Sequence, residues 1–424
     1  MRRGIANVLT VTVVLSAAAC GSRVLARQVS TERPKPGVEG RGLDFIPLVR
    51  PAIPAGPASP GPGIGATTPE VAAGPLPVPG PVPSPGPAVP SLEAVNAARN
   101  IYEDTLSGAL SPAVAGITPR VYVPNSGAGT VSVIDPTTLE VIDRFAVGKV
   151  PHHVTPSWDL TKLYVNNTES DKFTVIDPRS GKPTGEIPVE DPYNLYFTLD
   201  GSKAIVVAER LRRLDFRDPN TWELIKSVPI PWAGADHLDF SADGRYLMVS
   251  TEFTGKVVKV DVERMELVGK VEVGSLPIDV KVSPDGAVFF VANQGRHGVS
   301  IIDPEAMTEI GFLPTGKGAH GLNYSRDTKT LFVSNRLAGT ISLIDVASRT
   351  VRDTWTVGGS PDMIQLNPDG TQLWVSSRYH AATMVVDTAT GRLIKAVPTG
   401  AGAHGVSFFP APGRYSTGHN GVYR

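Results

Sequence analysis

An all-β protein, a seven-bladed β-propeller with four-stranded blades, is the fold this sequence predicts, and three observations carry the prediction. Aligning the aspartate that closes each Val-Ile-Asp-like run gives Asp135, Asp177, Asp218, Asp261, Asp303, Asp345 and Asp387, spaced by 42, 41, 43, 42, 42 and 42 residues. A second aspartate series in Pro-Asp-Gly-like turns, Asp159, Asp200, Asp243, Asp285, Asp327 and Asp369, keeps step with the first. Each unit also holds four short strand-like runs, and a fixed period of about 40–45 residues with several short strands per unit marks propeller blades.

The fifth unit illustrates the pattern with Val288–Ala292, Val299–Ile302, Glu309–Leu313 and Leu322–Ser325, separated by Gly, Asp and Pro. Asp303-Pro304 explains one turn, because an aspartate bonds a backbone N–H two residues on and proline ends the ladder. Seven units of 42 span 294 residues, which matches 120–413 within a propeller of residues 119–413. The first unit starts at its second strand, Val121–Val123, while Gly405–Phe409 supplies an extra innermost strand. That C-terminal strand is expected to complete the first blade and remove the free sheet edges.

Tyr122-Val123-Pro124-Asn125, Tyr164-Val165-Asn166-Asn167 and Phe332-Val333-Ser334-Asn335 recur at the same phase. With the Val-Ile-Asp runs and Pro-Asp-Gly turns, they resemble the YVTN-type β-propeller repeat of surface-layer and YncE-type periplasmic proteins. The resemblance extends more distantly to the d1-haem domain of nitrite reductase. It covers roughly 120–413 and implies the fold; propellers host many unrelated activities, so it implies no single function. The third unit departs most, with Ala204-Ile205-Val206-Val207 in place of the motif and Arg212-Arg213 expected to interrupt the next strand.

Upstream, Arg2 and Arg3 precede sixteen uncharged residues and then Cys20. A positive start and a short apolar core make residues 1–19 a secretory signal, too short for a membrane span. Ala17-Ala18-Ala19-Cys20 resembles a bacterial lipoprotein box, which implies lipidation of Cys20 and a membrane anchor in the envelope or periplasm. Residues 20–90 read as a disordered tether, with 14 prolines in the 40 positions from 51 to 90. Such density favours extended polyproline II over helix or sheet. Residues 91–118 are the lead-in, with a short amphipathic helix expected over 91–107 that places Leu92, Val95, Ile101, Tyr102 and Leu106 near one face. Residues 414–424 read as a C-terminal tail.

The composition excludes several classes. Forty basic against 41 acidic side chains give no field to gather phosphates, so a nucleic-acid partner is not expected. One cysteine excludes a disulfide framework, an iron–sulfur cluster and a CxxCH haem attachment. There is no HExxH, GxSxG or P-loop motif. A monomer is expected.

Candidate chemistry lies where each innermost strand begins. The leading pairs are His152-His153, Tyr193-Asn194, Asp236-His237, Ile278-Asp279, His320-Gly321, Asp362-Met363 and His404-Gly405, which hold five of the chain's eight histidines. Positions two and four residues later are mostly apolar and are expected to pack blade against blade. A closed ring brings the leading residues to one channel mouth. His152, His153, Asp236, His237, His320, Asp362 and His404 are therefore the candidate ligands for a divalent metal ion such as Zn or Cu, or for a tetrapyrrole. A strand-capping role would explain the same residues without any ligand. His297, His380 and His419 fall off this register and read as loop or tail residues. The leading functional reading is an exported, envelope-anchored binding or scaffold propeller engaging an envelope partner or small ligand. The alternatives are a metal- or d1-haem-like cofactor protein and, third, a lactonase-type hydrolase.

Overall fold

The computed structural model describes residues 100–419, 423 and 424. The signal segment, Cys20, the proline-rich stretch and residues 91–99 of the expected helix lie outside the described residues. The rest forms seven four-stranded antiparallel sheets. In chain order, the innermost strands of the second to seventh blades are Pro151–Pro156, Asn194–Phe197, Ala235–Phe240, Pro277–Val282, Ala319–Tyr324 and Pro361–Leu366. Each is buried along its whole length. The outermost strands alternate instead, as in Glu140–Ala146, where exposed and half-buried positions succeed one another. Burial thus falls from the axis outward.

The first blade closes the ring as the sequence predicts. Ser407–Phe409 pairs antiparallel with Arg120–Asn125, aligning Phe408 with Val121 and Ser407 with Tyr122. The positions expected to pack between blades are buried, among them Val154, Leu238, Phe240, Val280, Leu322, Ile364 and Phe408. The aspartates act as expected too: Asp135 Oδ1 accepts from Thr137 N at 2.7 Å and Asp303 Oδ1 from Glu305 N at 2.8 Å.

The asparagine that ends the repeat motif ties neighbouring blades together. Asn167 Oδ1 accepts from Gly148 N at 2.9 Å while its Nδ2 donates to Thr174 Oγ1 at 3.0 Å. A Cβ on Gly148 would stand 2.5 Å from Asn167 Cβ, so only glycine admits this approach. Asn125 repeats the arrangement with Gly400 across ring closure, at 2.9 Å.

Three expectations are corrected. Over residues 100–107 the chain makes only a single 3-10 turn, Glu103–Thr105, in place of a helix. Tertiary bonds override helical propensity there: Ile101 N donates to Pro284 O at 2.9 Å and Tyr102 Oη to Val282 O at 3.1 Å, while Leu106 stays exposed. Arg212-Arg213 does not break the third blade. Arg212 takes the left-handed turn position and Arg213 opens the strand Arg213–Arg217, where it and Arg217 flank the buried Asp215 at 2.8 and 3.3 Å. Finally, Ser416, Thr417 and His419 are buried, so this part of the tail docks against the propeller.

Candidate metal centre

A strand presents successive side chains to opposite faces, so two adjacent residues do not ordinarily share one site. The innermost strands escape this rule by a repeated bulge. In the second blade Pro151 pairs with Asn167 and Val154 with Val165, leaving His152-His153 as the irregular step. The same register shift spans Asp236-His237, Ile278-Asp279, His320-Gly321 and Asp362-Met363. Bulges re-aim side chains and are common beside functional sites. Serines on the adjacent strands satisfy the bulged backbone: Ser250 Oγ accepts from His237 N at 3.2 Å and donates to Ile278 O at 2.5 Å. Ser334 accepts from Gly321 N at 2.8 Å and donates to Asp362 O, and Ser376 bridges Met363 N to His404 O.

The expected residues do converge, but inside the protein. His153, His237 and Asp362 are fully buried and His152, Asp236, His320 and His404 nearly so, which replaces the open channel mouth with an enclosed chamber. The chamber divides into two groups. His153, His237 and His419 place ligand nitrogens within 4.8 Å of one another, and His320, Asp362 and His404 do the same with two nitrogens and a carboxylate oxygen. Ring centroids lie 4.1 Å apart for His153–His419, 4.7 Å for His237–His419, 5.3 Å for His153–His237 and 4.8 Å for His153–His404.

The two groups differ in what already fills them. In the second, Arg336 Nη2 bonds both His320 Nε2 and Asp362 Oδ1, and Arg378 Nη1 stands 3.7 Å from Asp362 Oδ2. Guanidinium only donates, so His320 Nε2 accepts and the ring is neutral, with Nδ1 2.9 Å from Asp362 Oδ1. Two cations thus hold the place a metal would take. In the first group, both nitrogens of His153, both of His419 and Nε2 of His237 have no hydrogen-bond partner among the described residues. Asp236 Oδ1 lies 2.6 Å from His237 Nδ1; with the proton on Nδ1, Nε2 carries the ring's free lone pair.

Burial sets the charge states. It holds His152 down to about 3 and pushes His153, His404 and His419 well below the ordinary imidazole value, with neighbouring positive groups adding to the effect. These rings are neutral, the form that binds metal. For His237 burial works the same way, but Asp236 outweighs it and raises the ring's pKa. Burial opposes ionisation of Asp362 as well, yet Arg336 and His320 hold the carboxyl well below its usual range. Half-buried Glu252 is pushed up to about 8 by burial and by Asp236.

His152 turns aside, its Nδ1 bonding Thr168 Oγ1 at 2.7 Å, and His404 Nδ1 bonds His152 O at 3.1 Å. His297 and His380 stay away as expected, on Gln294 O at 2.9 Å and Ser360 Oγ at 3.2 Å. His419 is the chamber residue that register reasoning missed. It follows His404 by 15 residues, outside the 42-residue period, and no repeat position marks it.

The family model of the YNCE-like beta-propeller matches residues 101–412. Among solved structures, the chain is similar to the Kuenenia stuttgartiensis hydrazine synthase, at 20% identity and TM-score 0.53, covering 59% of this chain and 87% of that one. It is similar to a functionally unknown protein from Desulfotomaculum acetoxidans DSM 771, at 17% identity and TM-score 0.60, covering 68% and 98% respectively. A third is the dihydro-heme d1 dehydrogenase NirN in complex with DHE, at 18% identity and TM-score 0.55, covering 69% and 76%. At such identities the likeness is one of fold. No curated protein matches the sequence. With blades, ring closure and a family match that all span the same residues, the chain belongs to the YNCE-like β-propeller family.

Proposed function

We propose that this protein is an exported, envelope-anchored binding protein whose propeller holds a divalent transition-metal ion in its histidine chamber. One observation carries the reading: five imidazole nitrogens of His153, His237 and His419 are buried in one place without a partner among the described residues. Each buried polar atom left unpaired costs about 1–3 kcal/mol, and a bound ion removes that cost for every nitrogen it takes. Neutral imidazole suits Zn and Cu. Export and anchoring rest on Arg2-Arg3, the apolar run and Cys20.

The chamber does not fit a tetrapyrrole between these rings. Centroid separations of 4.1–5.3 Å among His153, His237 and His419 are direct ring contacts that leave no slot for a flat macrocycle. The likeness to NirN is therefore read as shared fold.

Metal analysis and a visible spectrum of the mature protein from its own host, purified without chelator, test the reading. One equivalent of Zn or Cu per chain supports it. Metal-free protein that shows no saturable zinc binding overturns it, and a strong visible band would favour the tetrapyrrole instead.

A further inference from the structure

His419 comes from a part of the chain that lies beyond ring closure, and its position depends on how that part docks. Phe197 N on the third blade's innermost strand donates to Thr417 O at 3.0 Å, and Gly418 bridges Tyr196. A Cβ on Gly418 would meet Tyr196 Cδ1 at 2.4 Å, so glycine is what lets the segment lie against that strand. Ser416 Oγ donates to Gly418 O at 3.0 Å, and the edge of Tyr196 packs on the His419 ring with centroids 5.2 Å apart. The segment is thus placed by backbone bonds and shape, while both nitrogens of His419 are left without partners among the described residues.

We propose that His419 is the third ligand of a zinc- or copper-class site with His153 and His237, so that the bound ion staples the C-terminal segment into the channel. This rests on the metal-binding reading above and adds that the site exists only while the segment is docked. Three features favour this group over His320, Asp362 and His404. Its nitrogens are unpartnered, whereas Arg336 and Arg378 already neutralise the other group. Asp236 behind His237 supplies the carboxylate–histidine support that orients a metal ligand. The three rings come from the second blade, the fourth blade and the tail, so one ion links elements that the backbone does not join locally.

The other charges bearing on His237 are Asp236, Asp279 and Lys281, and Lys281 also bears on His419. Asp279 is engaged with Val280 N and Leu322 N at 2.9 and 2.8 Å. Tetrahedral coordination at about 2.0–2.1 Å puts nitrogens roughly 3.4 Å apart, so the rings, now within 4.8 Å, draw in by about 1 Å on binding. Three imidazoles also leave a fourth tetrahedral position open.

Zinc titration of the mature full chain, paired with hydrogen exchange at Phe197 N, whose bond to Thr417 O reports docking of the segment, tests the proposal. Wild type should bind one zinc, and zinc should slow exchange at Phe197 N at least tenfold. His419→Ala should weaken zinc by more than the roughly 10–100-fold that loss of an outer-shell partner costs, and zinc should no longer slow exchange at Phe197 N. His297→Ala should behave as wild type. Unchanged zinc affinity in His419→Ala would overturn the staple while leaving metal binding intact. So would zinc binding to wild type that leaves exchange at Phe197 N unchanged, which needs no variant to fold. Absence of saturable zinc binding in wild type would overturn both.

Discussion

Asp236 and His237 are consecutive residues whose side chains meet, with Oδ1 and Nδ1 2.6 Å apart. On a regular strand they would point to opposite faces; the bulge between Ala235 and Leu238 turns both toward the chamber. The contact charges the carboxylate, fixes the ring and directs Nε2 outward. Asp236→Asn keeps an acceptor for the ring N–H but removes the charge. Zinc affinity should fall about 10–100-fold with little change in thermal stability. Equal affinity in the variant would show that His237 is not a ligand.

Arg336 occupies the second group, so its removal should have two effects. Arg336→Met leaves buried Asp362 with the neutral His320 ring at 2.9 Å and only the more distant Arg378, at 3.7 Å, as a cation. Breaking a buried pair by removing one partner costs about 3–5 kcal/mol, seen as a lower midpoint in urea. It also frees His320 Nε2, Asp362 and His404 to bind an ion. A second zinc equivalent should appear in titration and restore part of the lost stability. If the stoichiometry stays at one, Arg336 is not standing in for a cation.

Acid should destabilise the fold early. His152, His153, His320, His404 and His419 all have lowered pKa values in the folded state, chiefly through burial. Below about 6.5 the unfolded chain takes up protons that these rings refuse, so their contribution is lost as pH falls through that value. His237 runs the other way, since Asp236 raises it: its contribution is present below 6.5 and lost as pH rises through the raised value. Five groups outweigh one. At about 1.4 kcal/mol per group for each pH unit, the net loss over one unit reaches several kcal/mol, comparable with a typical domain's whole stability. Asp236 and Asp362, both lowered, lose their contributions only at still more acid pH. Melting temperature should therefore drop steeply between pH 6.5 and 5.5, and a flat profile there would contradict the buried neutral chamber.

Much of this was legible in the sequence, and the limits have physical causes. The 42-residue phase located every innermost strand, because blade packing repeats the same apolar positions. It also brought His152, His153, Asp236, His237, His320, Asp362 and His404 together, because a ring turns equal phase into spatial proximity. Phase does not encode which rings face which, since the bulge and the serines Ser250, Ser334 and Ser376 decide that locally. Nor does it reveal that Arg336, on a loop 16 residues after His320, folds back into the chamber. His419 was invisible for a different reason: it is held by non-periodic contacts of a segment outside the repeats.

Anchoring is tested at Cys20. If its thiol carries the lipid, Cys20→Ala should move the chain from the membrane fraction to the soluble or secreted fraction, with its thermal stability unchanged. Retention of the variant in the membrane fraction would place the anchor elsewhere.

The far end of the tail offers a latch that does not need metal. Arg424 Nη2 donates to Asp239 Oδ1 at 2.8 Å, both groups buried, and its guanidinium lies 5.0 Å from the Tyr102 ring centre. Asp239 Oδ2 accepts from Val282 N at 3.0 Å and from Tyr102 Oη at 3.2 Å, so one carboxylate joins the tail, the fifth blade and the lead-in. Arg424→Met removes the cation and leaves the carboxylate uncompensated, which costs more than removing both charges together. In metal-free protein, hydrogen exchange at Phe197 N, which reports the Thr417 bond, should quicken in Arg424→Met. The double variant Asp239→Asn with Arg424→Met should exchange more slowly than the single one, because no bare buried charge remains to drive the segment out. If the single variant exchanges like wild type, the tail is held by its backbone bonds and glycine packing alone.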